Sequence, residues 1–246
     1  MVKERPILFD SAMVRAILEG RKTVTRRPVK GLQIPKEDPS KGETRHRWSA
    51  VGQRHPRYGF CVFGETEEEC AMELGEFGAC PYGRPGDRLW VREAWQGPLV
   101  DDDEMRADPS WWKDMSPYQN TAHCSYRASG DSCEFTDPDG NMQCRWKPSI
   151  HMPRWASRIL LEITAVHVER LHDISEDQAV AEGVERPEGI RDVDVWDGAE
   201  RELFNAMNQP RDRFKRLWAD MNGAESWDAN PWVWVVEFKR VEAGDV

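Results

Sequence analysis

The sequence has no apolar run approaching the roughly 18 residues of a membrane span. Its start, Met1-Val2-Lys3-Glu4-Arg5-Pro6, carries no apolar h-region behind the basic residues. Both absences point to a soluble, unprocessed chain that does not engage a membrane. The six cysteines fall as Cys61-x8-Cys70-x9-Cys80 and Cys124-x8-Cys133-x10-Cys144, without the short Cys-x2-4-Cys pairs of common zinc sites. They are therefore expected to be free thiols, in keeping with a cytoplasmic address and with no bound metal or cofactor. His123 beside Cys124 keeps a zinc clip on the long insertions open as an alternative. There is no internal repeat and no βαβ rhythm, which argues against a solenoid and against a parallel α/β sheet.

An excess of positive charge is also missing. With a formal net charge of −10, the chain is not built to coat duplex nucleic acid, because such binding rests on many Lys and Arg contacts to phosphate. The basic residues are nonetheless grouped. Arg21, Lys22, Arg26, Arg27 and Lys30 fall within ten residues, and Lys147, Arg154 and Arg158 form a second group. A local basic pocket on an acidic protein suits a nucleoside or a short single strand. The 12 Trp among 246 residues supply enough aromatic bulk for a packed interior.

Four ordered segments are legible. Pro6 to Phe9 reads as a strand, followed by Ser11 as N-cap and a helical stripe of Met13, Val14, Ile17 and Leu18 that Gly20 ends. Gly86 to Glu93 alternates as a strand behind a Pro-Gly turn. From Ala156 to Leu171, Ile159, Leu161 and Ile163 share a face. Val166 and Val168 then follow in the opposite phase, which predicts a bulge or bend between two strands near Thr164-Ala165. Ser175 and Gln178 have capping-box spacing, so a short helix is expected to reach Glu182 and stop at Gly183. Phe214, Leu217, Trp218 and Met221 mark a last helix, and Trp232 to Val241 a last strand. Polar, Gly- and Pro-rich insertions at about 31–79, 97–145 and 185–201 read as loops or lids on a single domain.

Gly20-Arg21-Lys22-Thr23-Val24-Thr25-Arg26-Arg27 is the most informative stretch. Strand alternation would send Thr23, Thr25 and Arg27 to one face and Lys22, Val24 and Arg26 to the other, so a pocket holding both Lys22 and Thr25 needs a bend. Spacing alone equally fits a solvated basic turn. The stretch, however, resembles the Gly-x-Lys-x-x-(Glu or Thr)-x-Arg signature of the ASCH domains within the PUA-like superfamily. It is similar almost letter for letter to the version in bacterial N4-acetylcytidine amidohydrolases, which are far shorter.

The resemblance implies an α+β chain, a PUA-like mixed β-barrel with peripheral helices. It also implies a catalytic set of Lys22 as base, Thr25 as nucleophile and Glu182 as proton carrier, with Glu176 the rival carboxylate. Arg21, Thr23, Arg26 and Arg27 would line the substrate site. A non-catalytic RNA- or DNA-binding module and a ribonuclease are the alternative functions.

Two further stretches join the candidates. Trp146 to Arg158 combines Trp146, His151, Arg154 and Trp155 with prolines, as suits a loop that stacks a base and meets phosphate, and equally a rigid loop covering the core. It resembles a stretch of longer, phage-type ASCH-like proteins. Glu93, at the end of the strand after Gly86-Asp87, is a candidate pocket carboxylate. Protein partners are not indicated.

Overall fold

The computed structural model describes residues 2–54, 58–136, 140–185 and 209–241. In chain order the elements are β1 (Glu4–Leu8), α1 (Ser11–Leu18), β2 (Val24–Pro28), β3 (Lys36–Glu37), β4 (Trp48–Arg54), β5 (Gly59–Gly64) and α2 (Glu67–Phe77). There follow β6 (Arg88–Arg92), β7 (Trp95–Gln96), α3 (Asp102–Ala107), β8 (Ser125–Tyr126), β9 (Glu134–Thr136) and β10 (Met142–Cys144). The last are β11 (Leu160–Arg170), α4 (Glu176–Ala181), α5 (Pro210–Asn222) and β12 (Trp232–Arg240). The architecture is α+β, with several sheets and few helices. No helix among the described residues is long and apolar enough to cross a membrane.

The chain divides into two compact units. One comprises Met1–Glu19, Asp87–Glu162 and Arg240–Val246; the other comprises Gly20–Gly86 and Ile163–Lys239. In the first, β1 runs parallel to β6, Glu4 opposite Arg88 and Leu8 opposite Arg92. The opening residues of β11 pair antiparallel with β6, Leu160 opposite Trp90. The N-cap of α1 is Asp10, one residue before the expected Ser11, its carboxylate accepting from Met13 N at 2.8 Å. Either residue type satisfies the free N–H groups of a first turn, so composition alone does not choose between neighbours. A small core of Trp95, Tyr126, Met152 and Ala156 is tied by the Tyr126 hydroxyl, which donates to Ala156 O at 2.9 Å. Cys133 is disulfide-bonded, against the expectation of free thiols, while Cys61, Cys70 and Cys124 are free.

The second unit holds the signature. Here β2 and β12 pair antiparallel with Thr25 opposite Val236 and Arg26 opposite Val235. The core gathers Val24, Leu171, Ile174, Ala179, Val184, Phe214, Trp218, Trp227, Val233 and Val235. Fully burying each large apolar side chain of this kind contributes roughly 1.5–3 kcal/mol. That driving force seats α4 and α5 against β2 and β12.

Residues 31–79, read as loop, instead carry β3, β4, β5 and α2. β3, β4 and β5 form an antiparallel sheet in that order. α2 is capped by Thr66, whose hydroxyl accepts from Glu69 N at 3.1 Å. Likewise 97–145 contains α3 and the β9–β10 pair. The stretch expected over 185–201 lies, beyond Glu185, outside the described residues. β11 is one strand rather than two, but its buried positions do change parity, from Leu161 and Ile163 to Val168.

Candidate functional site

The site is built where the chain leaves α1. Gly20 takes a φ of +75°, the left-handed conformation that only glycine adopts without strain, and ends the helix. The next residues are pinned by backbone bonds: Thr23 N donates to Ala181 O at 2.8 Å, and Phe238 N donates to Thr23 O at 2.8 Å. Thr23 is thereby clamped between the end of α4 and β12. β2 begins only at Val24, so Lys22 lies outside the strict alternation that governs Thr25 and Arg26.

Glu182 arrives from a short helix with both cap bonds made. The Ser175 hydroxyl accepts from Gln178 N at 3.2 Å, and the Gln178 side chain accepts from Ser175 N at 2.9 Å. Ala179 anchors that helix in the core, and Glu182 is its C-cap. The rival Glu176 sits in the exposed first turn, where its carboxylate accepts from Arg211 N at 2.9 Å.

Lys22 and Glu182 meet. The Lys22 ammonium donates to Glu182 Oε2 at 2.7 Å, to Glu182 O at 2.8 Å and to Val24 O at 2.9 Å, three acceptors for its three N–H groups. Arg26 reaches the same carboxylate, NH1 donating to Glu182 Oε1 at 3.3 Å. The other edge of its guanidinium grips Glu169 Oε1, from Nε at 2.9 Å and NH2 at 2.7 Å. His167 Nε2 lies 3.3 Å from Glu169 Oε2. The side chains of Lys22 and Arg26 are 0% exposed and that of Glu182 is 3% exposed. Charges so far from water persist only when paired and hydrogen-bonded, and here they alternate in sign along the chain of contacts. Burial pushes the Glu169 carboxyl up, but the His167 hydrogen bond and the Arg26 charge outweigh it and hold the group below the usual carboxylate value.

Thr25 is also buried, 2% exposed, and takes no part in these side-chain hydrogen bonds. Arg21 caps the turn instead, NH1 donating to Gly183 O at 2.9 Å. Arg27 is half-buried and close enough to Tyr82 for its charge to oppose the upward push that burial gives the phenol. Thr23 faces a cleft of about 460 Å³, shared with Val24, Thr164, Asp177, Gln178 and Glu237. That cleft runs beside the two segments that carry Lys22, Thr25 and Glu182.

Glu93, Trp146, His151, Arg154 and Trp155 belong to the first unit. Glu93 is buried and bidentate with Arg158, Oε1 to Nε at 2.9 Å and Oε2 to NH2 at 3.0 Å. Burial raises its carboxyl above the usual value although Arg158 pulls it back. Arg154 pairs with Glu4 at 2.9 Å. Trp155 packs edge-on against Trp95, and Trp146 is half-buried. His151 is exposed. These placements make Met152, Trp155 and Ala156 a cover for the small core, while Ile150, His151 and Arg154 are exposed.

Sequence reasoning missed Glu169 and His167. Their i,i+2 spacing on a strand, which puts two polar groups on one face, was the available signal. Among the described residues, no group of three or more His, Cys, Asp or Glu side chains is placed to hold a metal ion. No protein-family model, no curated protein and no solved structure matches the chain.

Proposed function

We propose that this chain is a cytosolic ASCH-type amidohydrolase of PUA-like fold, removing an acyl group from a modified nucleobase such as N4-acetylcytidine. The observation that carries the reading is the 2.7 Å contact between Lys22 Nζ and Glu182 Oε2. It joins two segments far apart in sequence, at the positions that the signature resemblance implies, and it is sealed from water. Natural chains keep buried ion pairs more readily for chemistry or specificity than for stability.

Thr25 Oγ1 is the nucleophile. A hydroxyl attacks an amide only if a base takes its proton, and Lys22 serves once it is neutral. Its three N–H groups point at two carbonyls and one carboxylate, so the proton it gives up goes to Glu182 Oε2. Lys22 then takes the Thr25 proton as Oγ1 bonds to the acyl carbon, and Glu182 delivers its proton to the departing amine as the C–N bond breaks. Water hydrolyses the resulting ester, returning the hydroxyl to Thr25 and releasing the carboxylic acid. The 460 Å³ cleft beside Thr23 and Gln178 is the route of entry.

Purified protein incubated with N4-acetylcytidine tests this. Chromatographic appearance of cytidine, abolished in Lys22→Ala, supports the hydrolase. The full burial of Lys22 favours a second reading, in which the same cleft binds a short single strand without chemistry. No product, with salt-sensitive binding of a short oligonucleotide, would select it.

A further inference from the structure

The contact chain does not end at Glu182. Arg26 has two faces, and only one of them reaches the carboxylate paired with Lys22. The Nε and NH2 edge is held by a single oxygen of Glu169, while NH1 faces Glu182 Oε1 at the longer distance of 3.3 Å. A guanidinium is rigid and planar, so fixing one edge fixes the direction of the other. Glu169 lies on β11, a separate element from the β2 and α4 segments that carry Arg26 and lead to Glu182, so it provides an independent reference for the orientation of Arg26.

We propose that Glu169 is a positioning residue: it holds Arg26 so that Glu182 keeps Oε2 for Lys22. The inference rests on reading Lys22 and Glu182 as the reacting pair. Four charges stand in a row, Glu169 and Glu182 negative, Arg26 and Lys22 positive. Without the Glu169 charge, two cations share one carboxylate. Arg26, freed at its Nε and NH2 edge, then turns its bidentate fork onto Glu182, because paired N–H donors suit a carboxylate better than one. Lys22 loses the partner that keeps it charged and in place. His167, 42% exposed, ends the chain at the surface. Glu169 is thus faced by His167 from its own strand and by Arg26 from β2.

The test substitutes Glu169→Gln in the full chain, which keeps shape and removes charge. The titration of the Lys22 side chain is followed by heteronuclear NMR alongside N4-acetylcytidine turnover. The expected result is a Lys22 titration moved to lower pH. A loss of kcat of roughly 10- to 100-fold with little change in KM is expected with it, as for a group that acts through another. An unmoved Lys22 titration overturns the proposal, whether or not the protein turns over substrate. A moved titration in a protein without turnover upholds the positioning and removes only the hydrolase reading. If Glu169→Gln does not fold, Arg26→Lys replaces it: it keeps the charge but cannot span two carboxylates. A Lys22 titration and kcat unchanged in Arg26→Lys would equally overturn the role.

Discussion

Replacing Lys22 by Met removes the buried ammonium while keeping an unbranched side chain of similar length. At 2.7 Å the Lys22–Glu182 pair has about 6 kcal/mol of Coulomb attraction at an effective dielectric of about 20, most of it offset by the desolvation of two ions. The substitution does not return that difference. It leaves Glu182, 3% exposed, with only the 3.3 Å bond from Arg26, and it strips a donor from Val24 O and from Glu182 O. Removing one partner of a buried pair costs about 3–5 kcal/mol. For a chain of this size that corresponds to roughly 6–20 °C in Tm.

Lys22→Met combined with Glu182→Leu removes both charges, and an apolar replacement of a whole buried pair is close to neutral. The double variant should therefore recover most of the loss. Urea unfolding followed by Trp fluorescence measures all four corners of the cycle. A Lys22→Met protein within about 1 kcal/mol of wild type would refute the sealed, fully paired charge cluster described above.

Ser175→Ala removes the hydroxyl that accepts from Gln178 N, while the backbone N–H of residue 175 still donates to the Gln178 side chain, and should cost about 1 kcal/mol, seen as faster amide exchange across Glu176–Glu182. At Gly75 an added Cβ would sit 3.0 Å from Val168 N, beside His167, so Gly75→Ala should destabilise by about 1–3 kcal/mol where Ala in an open helix would stabilise. The two buried carboxylates should show opposite pH dependence. Glu169 is held below the ordinary value, so the stability it contributes is complete above about pH 4.3 and is lost as pH falls through its folded value. The gap between wild type and Glu169→Gln should widen from pH 3 to 6. Glu93 is raised, so its contribution is complete below about pH 4.3 and is lost as pH rises through its folded value. The gap to Glu93→Gln should then move the other way in the same urea series.

What was legible in the sequence is what local rules dictate. The α1 stripe, the stop at Gly20, the capping box at Ser175, the α5 periodicity and the β12 strand all follow from patterns within one turn or one pleat. The parity change along β11 was visible too, although one strand absorbs it. The β3–β4–β5 sheet with α2 was not legible. β4 reads Trp48-Ser49-Ala50-Val51-Gly52-Gln53-Arg54, with a register shift around Gly52, and α2 is acidic with Cys70, Ala71 and Leu74 as its buried residues. Such elements are stabilised by each other rather than by propensity, so composition makes them look like loop.

In the site, the meeting of Lys22 with a carboxylate from α4 followed from the resemblance; strand alternation did not reach Lys22, because β2 begins only at Val24. Glu169 escaped because its partner, Arg26, is 143 residues away in sequence, and no local pattern encodes that contact.

The central claim is that the Thr25 hydroxyl does chemistry beside the Lys22–Glu182 pair. Turnover of N4-acetylcytidine by wild type, Thr25→Ser and Thr25→Ala, with ligand binding measured in parallel, tests it most directly. Activity retained in part by Thr25→Ser, and lost by a folded Thr25→Ala that still binds, is the predicted result. A Thr25→Ala protein that turns over at the wild-type rate would contradict it.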